Sequence, residues 1–286
     1  MPGDPSEPNT ARRLAAGRID VTESAFTAGD IDTSVPHPAR MYDWFLGGKD
    51  SYPADWAAAE EVVQLMPGAK ETAWANREFM HRAVRFVANR GVRQFLDIGT
   101  GIPTEPNLHQ IAQEVAADAS VVYTDNDPIV LRHAEALLRG RPEGRTAYVQ
   151  ADLRDPESIV AHARTHLDFD QPIALSLIAL LHYVTDEQHP QRIIDTLLAP
   201  LAPGSHLLLS HVTHEFNPGI WERIDEIYRS GGTPVRARSR TEVAAFFTGL
   251  DMCDPGVVVG PKWRPDRTMR IRDEEMPVYV GVARKV

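Results

Sequence analysis

Hydrophobic and polar positions divide this chain into three stretches with different rhythms. Residues 1–32 are rich in Pro, Gly, Asp, Ser and Thr and hold no sustained period, which predicts a flexible N-terminal arm with at most one helical turn, around residues 12–18. From Pro38 a helical period sets in. Met41, Trp44, Phe45 and Leu46 form a short apolar face that Gly47-Gly48 stops, as a helix C-cap would. A second helix follows Pro53 with Trp56, Ala59, Val62, Val63 and Met66 on its inner side. A third, over about 70–89, aligns Met80, Ala83, Val84 and Val87 before Gly91 ends it. Three helices ahead of the first strand predict a helical cap over residues 33–90.

Beyond residue 91 short apolar runs alternate with helical patterns, which predicts an α/β domain over 91–286 built on a parallel sheet. Phe95, Leu96 and Ile98 read as a buried strand that breaks at Gly99 and Gly101, with a helix carrying Leu108, Ile111, Ala112 and Val115 and Thr104 as its N-cap. Strands follow at 121–124, ending in Asp125, and at 145–150, running into Ala151-Asp152-Leu153. The helix between them spans 127–138. The continuous apolar run Ile173 to Ile178 has the character of a central strand covered on both faces. A helix from Asp186, a strand over 206–212, helices around Trp221 to Tyr228 and after Thr241, and closing strands near 256–259 and 278–283 complete the series. The last two strands are expected as an antiparallel edge.

Composition narrows this picture slightly. The longest apolar run, Ile173 to Leu181, is too short to span a bilayer, so no membrane segment is expected. One cysteine, Cys253, leaves no internal disulfide, and the N-terminus lacks an apolar signal core, which favours a cytoplasmic location. A formal net charge of −10 argues against a phosphate-backbone binder and favours a small-molecule or protein partner.

The chemistry concentrates at the first glycine turn. Strand, glycine turn, helix and a second strand with a terminal acid form a nucleotide-binding βαβ opening. Gly99-x-Gly101 is followed by Thr104 where a dinucleotide fingerprint wants Gly or Ala. Asp97, two residues before the turn, would face an anionic pyrophosphate unfavourably but attract the sulfonium and ammonium of S-adenosylmethionine. Asp125 is placed to accept hydrogen bonds from both ribose hydroxyls. Its competing role, capping the next helix, fits Asp127-Pro128 better.

Phe95-Leu-Asp-Ile-Gly-Thr-Gly101 resembles the first motif of class I S-adenosylmethionine-dependent methyltransferases. Together with Arg40-Met-Tyr-Asp-Trp-Phe-Leu-Gly-Gly-Lys-Asp50, Leu96-Asp-Ile-Gly-Thr-Gly-Ile-Pro103 and Tyr123-Thr-Asp-Asn-Asp-Pro128, it resembles an actinobacterial methyltransferase family long listed as a domain of unknown function, over roughly residues 33–286. The resemblance implies a Rossmann-like, seven-stranded, mostly parallel sheet in the order 3-2-1-4-5-7-6. It also implies S-adenosylmethionine as cofactor, held by Asp97, Gly99, Gly101, Asp125 and Asn126. Asp152 would take the adenine amino group and the Leu153 amide a ring nitrogen. Tyr42 and Gly48, with Lys49, become candidates for a lid over the cofactor.

His182 and His211, at the ends of the fourth and fifth strands of that sheet, are candidates for a base or for orientation, since a histidine near neutrality suits proton removal. The three-residue gap from His211 to His214 does not fix both rings on one side of an irregular strand end, so no metal is assigned. Ser176 to Tyr183 carries neither the Asn/Asp-Pro-Pro-aromatic motif of amino-group nucleic-acid methyltransferases nor a Pro-Cys pair, so no nucleic-acid acceptor is expected. Trp221 and Tyr228 either line a substrate cavity or fill a core. Arg236, Arg238 and Arg240 form a local basic run, solvated or facing an anionic substrate. The function expected is methyl transfer from S-adenosylmethionine to a small-molecule acceptor. The alternatives are a non-catalytic sensor of that cofactor and a nicotinamide-dependent oxidoreductase.

Overall fold

Five parallel strands with similar length and register set the frame of the molecule. The computed structural model describes residues 20–21, 32–130, 133, 140–266 and 272–286. Strand β1 is Asp20–Val21, and the helices α1, Pro38–Phe45, α2, Pro53–Leu65, and α3, Ala69–Ala88, follow. Next come β2 (Gln94–Ile98), α4 (Leu108–Val115), β3 (Ser120–Asp125), β4 (Arg145–Gln150), α5 (Pro156–Ala163), β5 (Ile173–Leu177), α6 (Pro190–Leu198) and β6 (His206–Val212). The chain finishes with α7 (Trp221–Ser230), α8 (Arg240–Ala245), β7 (Asp251–Met252), β8 (Val258–Val259) and β9 (Val278–Arg284).

The sheet runs β1-β4-β3-β2-β5-β6-β9-β7, with β8 also on β9. Its core, β4-β3-β2-β5-β6-β9-β7, is the seven-strand order expected, extended by β1 and β8. β9 is antiparallel and lies between β6 and the short strands β7 and β8. The strand expected near 256–259 is therefore split: Asp251–Met252 takes the edge and Val258–Val259 pairs further along β9. Within the expected N-terminal arm, Asp20–Val21 pairs in parallel with β4. The rest of that arm, its helical turn and most of the helix expected at 127–138 lie outside the described residues, although that helix opens at Pro128.

Separate apolar cores cover the two faces of the sheet. On one, Ile159, Ile194, Leu197 and Val243 from α5, α6 and α8 pack on Leu175 and Leu207. On the other, Phe79, Val84 and Val87 of α3 and Ile111 of α4 pack on Phe95, Val121 and Tyr148. The expected inner face of α3 is thus the buried one. A third core joins Met41, Val62 and Ala69 of the cap to Trp221, Ile224 and Tyr228 of α7, so the cap is closed by a helix that follows β6.

Three local expectations shift. Trp56 is 44% exposed, with its Nε1 donating to Ser51 Oγ, whereas Asp55 on the same helix is fully buried. The reason is an ion pair: Arg40 Nε lies 3.1 Å from Asp55 Oδ1, and Asp55 also accepts the amides of His37 and Tyr52 at 2.8 Å each. These contacts turn α2 by its polar residue. Thr104 does not cap α4. Asn107 does, in a capping box with Gln110 Oε1, which accepts the Asn107 amide at 2.6 Å. The segment between turn and helix stays open because Arg77 of α3 donates to the carbonyls of Thr104 and Pro106. Finally, the helix expected from Asp186 is divided at His189, whose φ of +52° separates a single 3-10 turn from α6.

Replacing Asp55 with Ala leaves the 3% exposed Arg40 without its carboxylate, and is expected to lower unfolding stability by about 3 kcal/mol. Urea denaturation measures this; a loss below about 1 kcal/mol, the scale of an exposed pair, would show that the pair does not anchor the cap.

Candidate functional site

The carboxyl ends of β2, β3, β4 and β5 converge on one cavity of about 240 Å3, at the point where the strand order reverses between β2 and β5. Every strand contributes its terminal residues: Asp97 to Gly101, Asp125 and Asn126, Ala151 to Arg154, and Ile178 to Leu180. Asp97, Gly99, Gly101, Asp125, Asn126, Asp152, Leu153 and Tyr42, which the sequence singles out, all line it.

The glycines are required by shape. Gly99 has φ +71° and Gly101 φ +65°, a left-handed backbone costly for residues with a Cβ, and a Cβ on Gly99 would run into the Leu180 side chain. The turn hangs from β3: the Gly99 amide donates to Thr124 O at 2.8 Å and the Gly101 amide to Asp125 Oδ2 at 2.8 Å. Asp125 Oδ1 accepts the Asp127 amide at 3.0 Å. Asp127 Oδ1 in turn accepts the Ile129 amide at 2.9 Å, so Asp127 fills the helix-capping role and each Asp125 oxygen keeps a further lone pair.

Electrostatics at this floor are negative and under strain. Loss of water pushes the Asp97 carboxyl up to about 6; Asp125 adds to the rise and the Arg77 guanidinium opposes it. Asp125 is also raised, chiefly by burial, against the pull of the Asp127 and Gly101 amides. Asp152 behaves oppositely. Arg154 donates to it from its backbone amide and from Nε at 2.9 Å each, which holds that carboxyl below the usual range.

The cap provides the roof. His37, Asn76 and Arg77, none of them singled out by the sequence, face the same cavity beside Tyr42. Their signal is weak: α3 reads as an amphipathic helix, and nothing local distinguishes its cavity-facing polar residues. Tyr42 Oη donates to Ala73 O at 3.1 Å and accepts from Asn76 Nδ2 at 2.9 Å. His37 Nδ1 lies 3.1 Å from Asp127 Oδ2, linking roof to floor.

Other expectations fall away from this cavity. Gly48 does not line it. Its position is packed on the Asp43 carboxylate, which a Cβ would overlap, and Lys49 is exposed; the double glycine closes α1, with Gly47 at φ +80°. His182 and His211 lie outside the lining of this cavity and are both held below the ordinary imidazole range. Burial, aided by Arg238, pushes His211 down to about 3, and its ring is occupied on both sides: Nδ1 donates to Val212 O at 2.8 Å and Nε2 accepts from Arg238 Nη1 at 2.9 Å. His182 is lowered well below its ordinary value by burial, His211 and Arg238. His214 sits on Ala237 O at 3.2 Å and shares no ligand position with His211.

The basic run is a set of braces and offers no free anion site. Arg238, 2% exposed, donates to Leu181 O, Val184 O, Asp186 Oδ1 and the His211 ring, clasping the loop after β5 to the end of β6. Arg236 pairs with Asp186 and Glu242, and Arg240 Nε donates to Val257 O. Under that clasp Ala179 takes φ +53°, with its amide on Ser210 Oγ at 2.8 Å, and closes the cavity at the end of β5. Among the described residues no helix is long and apolar enough to cross a membrane.

Comparison with solved structures places this geometry among relatives. A DUF574 family protein from Streptomyces avermitilis is 48% identical, with a TM-score of 0.86 over 89% of this chain and 99% of that one. A methyltransferase candidate from Thermobifida fusca is 39% identical, with a TM-score of 0.83 over 92% of this chain and 99% of that one. Comparison with curated proteins finds no match. The profile of the S-adenosyl methyltransferase family, whose cofactor is S-adenosylmethionine, matches residues 24–286. With carboxylates at three successive strand ends and that match over nearly its whole length, the chain belongs to the S-adenosyl methyltransferase family.

Proposed function

We propose that this protein transfers the methyl group of S-adenosylmethionine to a small-molecule acceptor, in the cavity between the strand ends and the helical cap. The observation that carries the reading is the alignment of Asp97, Asp125 and Asp152 along one cavity floor. Such a row suits a cationic nucleoside and repels a pyrophosphate, which weighs against the nicotinamide alternative. When bound, S-adenosylmethionine supplies a methyl group already activated on a sulfonium.

The residues fit it. The open backbone at Gly99 and Gly101 admits the close approach of the amino-acid portion, and Asp97, with its charge only partly compensated, attracts an ammonium. The remaining lone pairs of Asp125 accept the two ribose hydroxyls, with Asn126 beside them. Asp152 and the Leu153 amide meet the adenine edge, and Tyr42 closes the top. The Arg154 pair holds Asp152 ionised as a hydrogen-bond acceptor. Because the methyl is activated beforehand, the protein's contribution is alignment and the exclusion of water by α1 and α3. That division of labour is consistent with two histidines kept neutral, where a base was expected.

Asp125→Ala removes the ribose acceptor and is expected to weaken S-adenosylmethionine binding at least about tenfold, since hydrogen bonds to a charged group contribute roughly 1.5–3 kcal/mol. Calorimetric titration of folded protein measures it. Unchanged affinity would place the nucleoside elsewhere.

Binding should also report the state of Asp97. Its raised value means that the proton stays on to about pH 6 in the free chain. A cationic ligand prefers the ionised form, so affinity is full above about 6 and falls as pH drops below it, by up to about tenfold per unit. Asp97→Asn should flatten that slope; the same slope in wild type and variant would remove Asp97 from the site.

A further inference from the structure

A second, smaller cavity of about 80 Å3 lies against the first and shares Tyr42, Asn76, Ala179 and Tyr183 with it as a common wall. Its other walls come from α1, α2 and α7, through residues such as Phe45, Val62, Met66, Trp221 and Ile224. Among the described residues no Asp, Glu, Lys or Arg lines it, and its one histidine, His182, is kept neutral. Five aromatic rings, those of Tyr42, Phe45, Tyr183, Trp221 and Tyr228, line it, and Tyr183 and Tyr228 lie with their centroids 5.7 Å apart.

We propose that this cavity receives the acceptor, and that the acceptor is an uncharged molecule with an apolar planar ring, whose reactive atom meets the methyl group at the wall formed by Tyr42, Asn76, Ala179 and Tyr183. The inference rests on the cofactor reading of the larger cavity and adds the chemical class of the second substrate.

Three observations point the same way. First, the cavity lies beside the ends of β5 and β6, on the far side of the shared wall from the strand ends that carry the three carboxylates. A molecule seated in it therefore borders the cofactor cavity without displacing anything from its floor. Second, the walls exclude charge of either sign. An anion finds no cationic side chain to pair with, because the nearby Arg238 already spends its donors on Leu181 O, Val184 O, Asp186 and His211. A cation finds no carboxylate, and the positive field of Arg238 that depresses His182 opposes it as well. Third, two polar atoms of the lining residues are left over. His182 Nδ1 and Asn76 Oδ1 are buried and have no hydrogen-bond partner among the described residues, although His182 is 5% and Asn76 3% exposed. Leaving buried polar atoms unpaired is costly, and a small rotation of either side chain brings it to a single polar substituent on an otherwise apolar ligand.

The test uses the full chain saturated with S-adenosylhomocysteine and three probes of equal ring size: p-cresol, 4-methylbenzoate and 4-methylbenzylammonium. Binding is measured by ligand-observed NMR titration. The expected result is that p-cresol binds at least about tenfold tighter than either charged probe, a difference of about 1.4 kcal/mol. Met66→Trp, which fills the cavity from α2, should abolish p-cresol binding and leave S-adenosylhomocysteine binding intact, with Met66→Leu retaining both. Equal or tighter binding of a charged probe, or undiminished p-cresol binding by Met66→Trp, overturns the proposal, as does binding of S-adenosylhomocysteine with no binding of p-cresol. Failure of S-adenosylhomocysteine itself to bind overturns the cofactor reading instead, and this inference with it.

Discussion

One carboxylate fastens the site together. Asp125 ends β3 and accepts the amide of Gly101 from the turn after β2 and the amide of Asp127 from the start of the following helix. The turn after β2 and the start of the following helix are both tied to this side chain, and the proposed ribose contacts would use its remaining lone pairs. The arrangement costs free energy, because burial and the Asp127 carboxylate raise the Asp125 carboxyl, and burial and the Asp125 carboxylate raise that of Asp97. A cavity floor with uncompensated negative charge is favourable only when something positive arrives. Strain of that kind at the end of a parallel sheet marks where binding energy is released.

Around this floor, buried ion pairs do the positioning. Arg40 and Asp55 orient the first two cap helices, Arg77 holds open the segment between the glycine turn and α4, and Arg238 clasps the loop after β5 beneath α8. Each guanidinium spends donors on backbone carbonyls, and those of Arg40 and Arg238 on carboxylates as well, which fixes loop geometry that apolar packing alone would leave loose. Cap and sheet are therefore coupled, and the two cavities share a wall whose position those contacts determine.

How much of this was legible beforehand follows from how local each signal is. Asp97, Gly99, Gly101 and Asp125 sit at strand ends, where an apolar run gives way to a glycine or an acid, and singling them out needs no knowledge of distant residues; Asp152 came with the family resemblance. The inner face of α3 was readable for the same reason, through its period. The strand order came only with the family resemblance, because periodicity says nothing about which strands are neighbours. What could not be read depends on long-range contact. Asn76 and Arg77 reach the cavity only because α3 lies over it, Trp56 turns outward because Arg40 claims Asp55, and His211 is lowered by burial, aided by Arg238, 27 residues away in sequence. A buried charge looks like an exposed one in sequence. So the basic run around Arg238 gave no sign of being a brace.

The most direct test of the account is a crystal structure of the complex with S-adenosylhomocysteine. The account requires both ribose hydroxyls within hydrogen-bonding distance, about 2.5–3.0 Å, of the Asp125 carboxylate, with the adenine edge at Asp152 and Leu153 and the ammonium beside Asp97. A nucleoside bound in any other orientation, or with its ribose away from Asp125, would contradict it.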